Sequence, residues 1–337
     1  MAFKRVSTLI FLLPLTISAC GIRFSSEQDA DRLVVYSGRS ESLVGPIIEQ
    51  FEDTSGIRVD VRWGDTPELA ATLLEEGANS PADVFFAQDP GGLGAVIDML
   101  QPLPDEILDQ VDVRFQDPHG RWVGISGRAR TLVYNTSSLS QGDLPTDIWE
   151  LTAPRWDGRV GWAPTNASFQ TMVTAMRTVW GQEDTLRWLM AMQANHPIAY
   201  EKNTPIVAAV GAGEVDLGLV NHYYLYRFLQ EEGEGFPARN YFLQGGGPGS
   251  LVMVAGAGIL DTASNPELAE QFIDFLLSRV AQQYFATQTY EYPLVDGVVT
   301  ARELPPLAEL NAAEIDLADL ADLQGTVALL REAGVLP

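Results

Sequence analysis

The chain is poor in the residues on which most enzyme active sites and structural metal sites depend. It has one cysteine and three histidines among 337 residues, so no internal disulfide can form and no histidine cluster has metal-ligand spacing. Gly-x-Ser-x-Gly, Walker and dinucleotide-binding signatures are absent. The glycine-rich segment 245–249 lacks the Lys-Ser/Thr of a phosphate loop, which favours a turn near a hinge. These absences argue against an enzyme.

Positive charge is also scarce. The chain carries 21 Lys and Arg against 45 Asp and Glu, a formal net charge of −24. Nucleic-acid binding requires a basic surface, so we expect no nucleic-acid partner. Beyond the N-terminal segment no apolar run is long enough to span a bilayer. About 300 residues of mixed strand and helix pattern are enough for two domains.

The N-terminal segment has the pattern of a lipoprotein export signal. Met1–Arg5 is positively charged, and the apolar run Leu9–Leu13 is too short for a transmembrane helix. Cys20 follows Ile-Ser-Ala, as in a bacterial lipobox. We therefore predict a signal peptide over residues 1–19, lipidation of Cys20 and a polar tether over residues 20–31, so that a lipid attaches the protein to a membrane. An ordinary secretory signal with a chance cysteine is the alternative.

Strand and helix patterns alternate along the rest of the chain. Apolar runs and amphipathic stretches recur from about residue 33 onward, which predicts an α/β fold with doubly wound sheets. Val215–Val220 is predicted as a buried strand and Tyr223–Glu231 as the helix that follows it. Two helices are predicted in the tail, over Leu307–Ala313 and Gly325–Ala333.

The adjacent residues Tyr223 and Tyr224 are the most informative pair in the sequence. They fall where a strand ends and a helix begins, which is the usual ligand position in open α/β sheets. A phenolate is a hard anionic donor, so two neighbouring phenolates suit Fe(III) better than zinc or copper(I). An arbitrary tyrosine pair is more often half-buried packing. A free phenol titrates at about pH 10, so binding at neutral pH must displace protons, which requires a strong Lewis acid.

Several other segments recur in the order in which a known family has them. Besides Val220-Asn221-His222-Tyr223-Tyr224, they are Val34–Arg39, Ser80–Phe85, Gly127–Asn135, Pro164–Asn166, Tyr200–Asn203, Gly246–Val252 and Glu291–Leu294. Through them the chain resembles the periplasmic ferric-ion-binding proteins of ABC iron importers, within family 1 of the bacterial extracellular solute-binding proteins.

The resemblance implies a fold, a partner and a location. The fold is the type II periplasmic-binding-protein fold, with two lobes of doubly wound sheets joined by crossing hinge strands. Residues 32–128 and 253–303 would form the first lobe, and residues 129–252 and 304–337 the second. The protein would be a monomer in the cell envelope that delivers its ligand to an ABC permease.

The resemblance also implies a metal site. Where one pattern of the family has a His or a His-Tyr pair in the first lobe, this chain has Ser40 and Glu41. The family's carboxylate position falls on Gln88, with Asp89 beside it. His222 is expected to hydrogen-bond and not to bind metal, because its side chain should point away from the tyrosine face. The candidates for metal binding are Tyr223, Tyr224, Glu41 and Asp89.

An exogenous anion is expected to complete the site. Some relatives have a third tyrosine where this chain has Asn166-Ala167-Ser168-Phe169. Small and polar residues that open a helix instead leave backbone N–H groups for an anion. By resemblance, this favours iron held together with carbonate or phosphate. The candidates for anion binding are Ser168, Asn203, Asn221, Arg128 and Arg130.

Two alternatives to iron binding stay open at this point. Relatives with similar scaffolds bind phosphonate, thiamine or other small solutes, and the tyrosines would then stack on the solute or hydrogen-bond to it. An enzyme or a sensor lipoprotein is the competing class.

Overall fold

The computed structural model describes residues 32–337. The predicted signal peptide, Cys20 and the tether of residues 20–31 lie outside the described residues. Within residues 32–337, no helix combines the length and the apolar character that crossing a bilayer requires.

Strands and helices alternate along the described residues. The strands are β1 (Arg32–Ser37), β2 (Arg58–Trp63), β3 (Val84–Ala87), β4 (Val123–Asn135), β5 (Val160–Trp162), β6 (Ile198–Ala199), β7 (Leu217–Asn221), β8 (Ala238–Tyr241) and β9 (Val252–Ile259). The helices are α1 (Glu41–Ser55), α2 (Thr66–Glu76), α3 (Pro90–Ala95), α4 (Asp105–Leu108), α5 (Ala167–Trp180), α6 (Gln182–Ala194), α7 (Asn203–Ala212), α8 (Tyr224–Glu232), α9 (Pro266–Leu277), α10 (Arg279–Gln288) and α11 (Leu323–Glu332). The alternation confirms the predicted α/β class.

The strands are hydrogen-bonded in the order β2-β1-β3-β9-β4-β7-β5-β6, and β8 also pairs with β4. β1 is parallel to β2 and β3, and β5 is parallel to β6 and β7. Helical crossovers such as α1 and α2 make these parallel pairs possible. β2 lies at the edge, and its side chains alternate in exposure. β3 and β7 lie inside the sheet and are buried throughout.

β4 takes part in two groups of strands. Its first half, Val123–Ala129, pairs with β9, and its second half, Arg130–Tyr134, pairs with β7. All 13 residues of β4 are buried. β4 is therefore the strand that crosses from one group to the other. Its register sets Arg130 opposite Asn221, so these two side chains lie on the same face of the sheet.

Each group of strands has its own hydrophobic core. The largest cluster of buried side chains surrounds β1, β3 and β9 and includes Val35, Phe85 and Ile259. A second cluster, which contains Trp188, packs against α5 and α6, and a third, which contains Ile206, packs against α7. Burying an aliphatic or phenylalanine side chain contributes about 1.5–3 kcal/mol. The first cluster also includes Ala175 of α5 and Tyr223 and Tyr226 near the start of α8, so it extends past β4.

The tail departs from the prediction at its start. The helix predicted over Leu307–Ala313 is wrong, because only Leu307–Glu309 forms a single 3₁₀ turn. Leu310 is already extended, with φ −73° and ψ 130°. The Asn311 side chain donates to the backbone carbonyl of Gln244 at 2.8 Å, so the segment is tied to a neighbouring loop. α11 confirms the second predicted tail helix.

The tail contacts both groups of strands. Leu317 and Leu320 belong to the first cluster, whereas Leu329 and Leu330 of α11 belong to the second. The predicted lobe boundaries, which place residues 304–337 wholly in the second lobe, stay a prediction.

Candidate functional site

The tyrosine pair lies at the junction of β7 and α8. β7 ends at Asn221 and α8 begins at Tyr224, which confirms the predicted strand and helix to within two residues. Tyr223 already has helical backbone angles, φ −71° and ψ −20°. The two rings stack, with centroids 4.3 Å apart and planes at 29°. Tyr223 is buried and Tyr224 is partly exposed. Within residues 32–337 the Tyr223 hydroxyl has no hydrogen-bond partner.

The surroundings of Tyr224 hold its hydroxyl in the neutral form. Burial raises the pKa of Tyr224 well above its ordinary value, and the neighbouring Tyr223 raises it further. The positive charges of Arg39 and Arg128 oppose this shift. A cation that binds here must therefore displace a proton from Tyr224, which favours a strong Lewis acid.

His222 lies directly before the pair, and both of its ring nitrogens are in use. Nδ1 accepts from the backbone N–H of Ala129 at 3.1 Å, and Nε2 donates to the backbone carbonyl of Tyr290 at 2.6 Å. Burial lowers the pKa of His222 to about 4, so the ring is neutral at physiological pH. This confirms that His222 is a hydrogen-bonding residue. Its ring also meets the Tyr223 ring edge to face, with centroids 5.8 Å apart.

Four of the predicted anion-binding residues join in one hydrogen-bond network. The Ser168 hydroxyl oxygen accepts from Gln88 Nε2 and from Asn221 Nδ2, both at 3.1 Å. Asn203 Oδ1 accepts from the backbone N–H of Asn221 at 3.0 Å and from Arg130 Nη1 at 3.5 Å. Arg130 Nη1 also donates to Asn221 Oδ1 at 3.1 Å. We call Gln88, Ser168, Asn203, Asn221 and Arg130 the cradle.

The cradle has mostly donors left to offer. A hydroxyl or amide oxygen has two lone pairs and can accept two hydrogen bonds. The Ser168 hydroxyl oxygen and Asn203 Oδ1 each accept two already. The Ser168 O–H and the remaining N–H groups of the amides and of Arg130 are still available. A cluster of this kind attracts an anion and repels a metal cation.

The N-terminus of α5 lies beside the cradle. Asn166 caps this 14-residue helix, and its side-chain oxygen accepts from the Ser168 N–H at 3.2 Å. The same oxygen accepts from Asn203 Nδ2 at 3.1 Å. The first turn of a helix carries unpaired N–H groups and a partial positive charge. The helix therefore adds to the anion preference of the cradle.

Three buried arginines surround the tyrosines and the cradle. The residues Arg39, Arg128 and Arg130 are each at most 2% exposed. In the part of the chain that the structure describes, two nitrogens of each guanidinium have no hydrogen-bond partner. Burial lowers the pKa of Arg130 to about 9, and the nearby tyrosines oppose this shift, so Arg130 stays charged at neutral pH. Unpaired buried donors are costly, which indicates a place for a ligand.

Arg128 lies outside the cradle's hydrogen bonds. Its Nη2 donates to the backbone carbonyl of Val254 at 3.2 Å, and the side chain is fully buried. Its charge acts on Tyr224 and on Asp89. Arg128 thus contributes through its charge to the same region.

The two candidate carboxylates occupy different surroundings. Glu41 is exposed in the first turn of α1 and lines the cleft. Asp89 is buried and caps α3 by accepting from the Gly92 N–H at 3.2 Å. Burial raises the pKa of Asp89, against the charge of Arg128. Among residues 32–337, no three His, Cys, Asp or Glu side chains are grouped to hold a metal. Glu41 and Asp89 stay predictions as metal ligands.

A cleft of about 790 Å³ opens beside these residues. It is lined by the starts of α1, α2, α5 and α8, by the end of β2, and by the residues just after β3 and just before α7. Residues on its walls include Arg39, Glu41, Gln88, Asn166, Lys202 and Tyr224.

Sequence reasoning missed three contributors to this region. Gln88, at the family's carboxylate position, donates to Ser168, a role that the sequence does not predict. Asn166 was seen as a helix-opening residue, and it also holds Asn203. Arg39 was not considered, although it lies in the segment Val34–Arg39 that the resemblance includes. A buried guanidinium has no periodic signature, and only the fold reveals it.

The fold and the cleft together define a class, a two-lobed solute-binding protein. Residues 78–316 match the family model described as bacterial extracellular solute-binding protein. The Fe(3+)-binding periplasmic protein of Serratia marcescens is 34% identical over 308 residues, which cover 90% of each chain. The major ferric iron-binding protein of Neisseria meningitidis serogroup B is 31% identical over 308 residues, 90% of this chain and 93% of that protein.

A solved structure supports the same assignment. Iron-bound HitA from Pseudomonas aeruginosa superposes with a TM-score of 0.86 at 35% identity, over 90% of this chain and 99% of that one. The predicted two-lobed type II fold is therefore confirmed. The chain belongs to the bacterial extracellular solute-binding protein family.

Proposed function

We propose that the protein binds ferric iron between its two lobes through the phenolates of Tyr223 and Tyr224. The observation that carries this proposal is the stacked pair at the start of α8, in which the buried Tyr223 hydroxyl has no partner among the described residues. Two adjacent hard oxygen donors suit a trivalent cation. The proposal is supported by the relatives from Serratia marcescens and Neisseria meningitidis, whose names state that they bind ferric iron.

An anion in the cradle would complete the charge balance. Two phenolates leave one positive charge on Fe(III), and a buried charge is costly unless it is paired. Ser168, Asn203, Asn221 and Arg130 offer donors at this point, and Arg128 adds a buried positive charge. We therefore propose carbonate or phosphate as the synergistic anion, with Arg130 as its charged partner.

Glu41 is the carboxylate that we propose for the first lobe, because it faces the cleft. Asp89 is the alternative, although one of its oxygens already caps α3. Glu41→Gln removes the negative charge and keeps the size, so it lowers ferric affinity if Glu41 is the ligand. Unchanged affinity in Glu41→Gln, with a loss in Asp89→Asn, points to Asp89.

The cellular role follows from the family. We propose that the protein is a monomer without enzymatic activity that passes iron to an ABC permease, as membership of a solute-binding family supports. Lipidation of Cys20 would hold it at the membrane, facing the periplasm or the exterior. Residues 32–128 with 253–303, and 129–252 with 304–337, would be the lobes that close on the ligand.

An organic anion such as a phosphonate is the second candidate ligand, because the cradle offers the same donors to any oxyanion. Thiamine fits less well, since it carries a positive charge and the free polar groups of the cradle are mostly N–H and O–H donors. Adding ferric citrate to iron-free protein separates the candidates. We expect a visible charge-transfer band from Fe(III)–phenolate bonds and one equivalent of iron by metal analysis. A colourless protein that binds a phosphonate without metal would support the second candidate.

A further inference from the structure

A fully buried ion pair lies behind the tyrosine pair. Arg39, just before α1, donates through Nη2 to both carboxylate oxygens of Glu291 at 2.7 Å. Both side chains are 0% exposed, and the two residues are 252 positions apart in the chain. Removing two charges from water costs several kcal/mol per ion. Because of this cost, the stability of the fold does not by itself explain a buried ion pair at this position.

Glu291 is held in place by two further donors. Ser126 of β4 donates to one carboxylate oxygen at 3.2 Å, and Thr289 donates to the other at 2.9 Å. The carboxylate thus accepts from three side chains on three different parts of the chain. This fixes its position and, through it, the position of the Arg39 guanidinium.

Arg39 faces the tyrosines. Its guanidinium carbon lies 6.0 Å from the centroid of the Tyr223 ring. Nε and Nη1 of Arg39 have no hydrogen-bond partner among residues 32–337. Arg39 also lines the cleft together with Tyr224. A permanent positive charge is therefore directed at the side of the cleft that the tyrosines occupy.

The segment that carries Glu291 also contacts the other side of the pair. The backbone carbonyl of Tyr290 accepts from Nε2 of His222, the residue before Tyr223, at 2.6 Å. Tyr292 exchanges two backbone hydrogen bonds with Gly127 of β4, at 2.7 and 2.9 Å. One short segment thus sets the position of Arg39 and of the backbone before the tyrosines.

We propose that Arg39 and Glu291 form a charge-setting pair for the tyrosine site, in which Glu291 is a positioning residue that holds the Arg39 guanidinium beside Tyr223. This inference rests on the proposed binding of ferric iron. The positive charge of Arg39 disfavours Fe(III) relative to Fe(II), and the negative charge of Glu291 partly cancels that effect. The pair thereby sets how strongly the site prefers ferric over ferrous iron, and so the potential at which an external one-electron donor would reduce the bound iron.

Substitutions that remove one charge at a time test this role. A unit charge within about 7 Å, at an effective dielectric constant of about 20, changes the ratio of ferric to ferrous affinity by tenfold or more. Arg39→Gln is expected to raise this ratio at least tenfold, and Glu291→Gln to lower it by a smaller factor, because its charge only partly cancels that of Arg39. For a one-electron couple, tenfold is about 59 mV in reduction potential. Arg39→Gln/Glu291→Gln is expected to lie between the single variants, and Arg39→Lys to stay near the wild type.

The measurement is spectroelectrochemistry of the iron-loaded protein, followed through the visible charge-transfer band. Thermal unfolding of each iron-free variant checks that it folds. Where Arg39→Gln does not fold, Glu291→Gln alone tests the direction of the shift, because it also removes one charge of the pair. Shifts of the two single variants in opposite directions support the pair. Shifts in the same direction, or none in folded variants, contradict it while leaving iron binding intact. A wild type that binds no ferric iron would contradict this inference and the proposed function together.

Discussion

The ring of Tyr223 stacks on the ring of Tyr224, with centroids 4.3 Å apart. This arrangement exists because Tyr223 is already helical when α8 begins, so one turn of backbone supplies two oxygen donors. Both tyrosine oxygens of the proposed site therefore come from one element, the start of α8.

The cradle should control how strongly the affinity for ferric iron depends on an added anion. Replacing Asn203 and Asn221 together with Leu removes donors to the anion, so we expect ferric affinity to fall at least tenfold in carbonate or phosphate. Titrations of iron-free protein without added anion, with carbonate and with phosphate measure this. Asn311→Leu, the same change away from the cleft, is the control. A double variant that still responds to the anion as the wild type does would exclude the cradle as the anion site.

A substitution at Gln88 tests the anion site by adding a negative charge to the cradle. Gln88→Glu places a carboxylate beside Ser168 with almost no change in size, so it supplies the negative charge that the anion would otherwise bring. We expect the affinity for ferric iron to depend less on added carbonate or phosphate in this variant than in the wild type. The same three titrations measure it. If the variant needs the anion as strongly as before, Gln88 does not face the bound ligand.

His222 is expected to stabilise the fold without binding the metal. His222→Phe keeps an aromatic ring but leaves the backbone N–H of Ala129 and the carbonyl of Tyr290 without their buried partners. Each unsatisfied group costs about 1–3 kcal/mol, so the free energy of unfolding should fall by about 2–6 kcal/mol. Denaturant unfolding of iron-free protein measures it, with exposed His119→Phe as the control. An unchanged free energy of unfolding together with a loss of ferric binding would instead indicate that His222 is a metal ligand.

The membrane anchor depends on one thiol. Cys20→Ser removes the only cysteine, and with it the predicted site of lipidation. We expect the variant to leave the membrane fraction and to be found in the soluble or secreted fraction. Fractionation after a high-salt wash measures this, because salt releases proteins that are held only by charge. A variant that stays in the membrane fraction after the wash would contradict the lipobox prediction.

Local sequence patterns predicted those helices and strands whose formation depends on neighbouring residues in the chain. The strand before the tyrosines and the helix after them were predicted to within two residues, because each has a clear apolar period. The tail helix over Leu307–Ala313 was wrong, since contacts with a distant loop decide that segment. The Arg39–Glu291 pair joins positions 252 residues apart. No local pattern predicts such a contact, nor a network whose five members lie on five separate segments of the chain.

The central claim is that the two phenolates hold ferric iron. Tyr223→Phe/Tyr224→Phe keeps both rings and removes both oxygens, so folding should survive while iron binding and the visible charge-transfer band are lost. The control is Tyr134→Phe/Tyr226→Phe, which removes two hydroxyls elsewhere and should retain the band. Ferric titration of both iron-free variants and the wild type, followed by visible absorption, is the most direct test. Undiminished iron binding by the folded Tyr223→Phe/Tyr224→Phe protein would contradict the account.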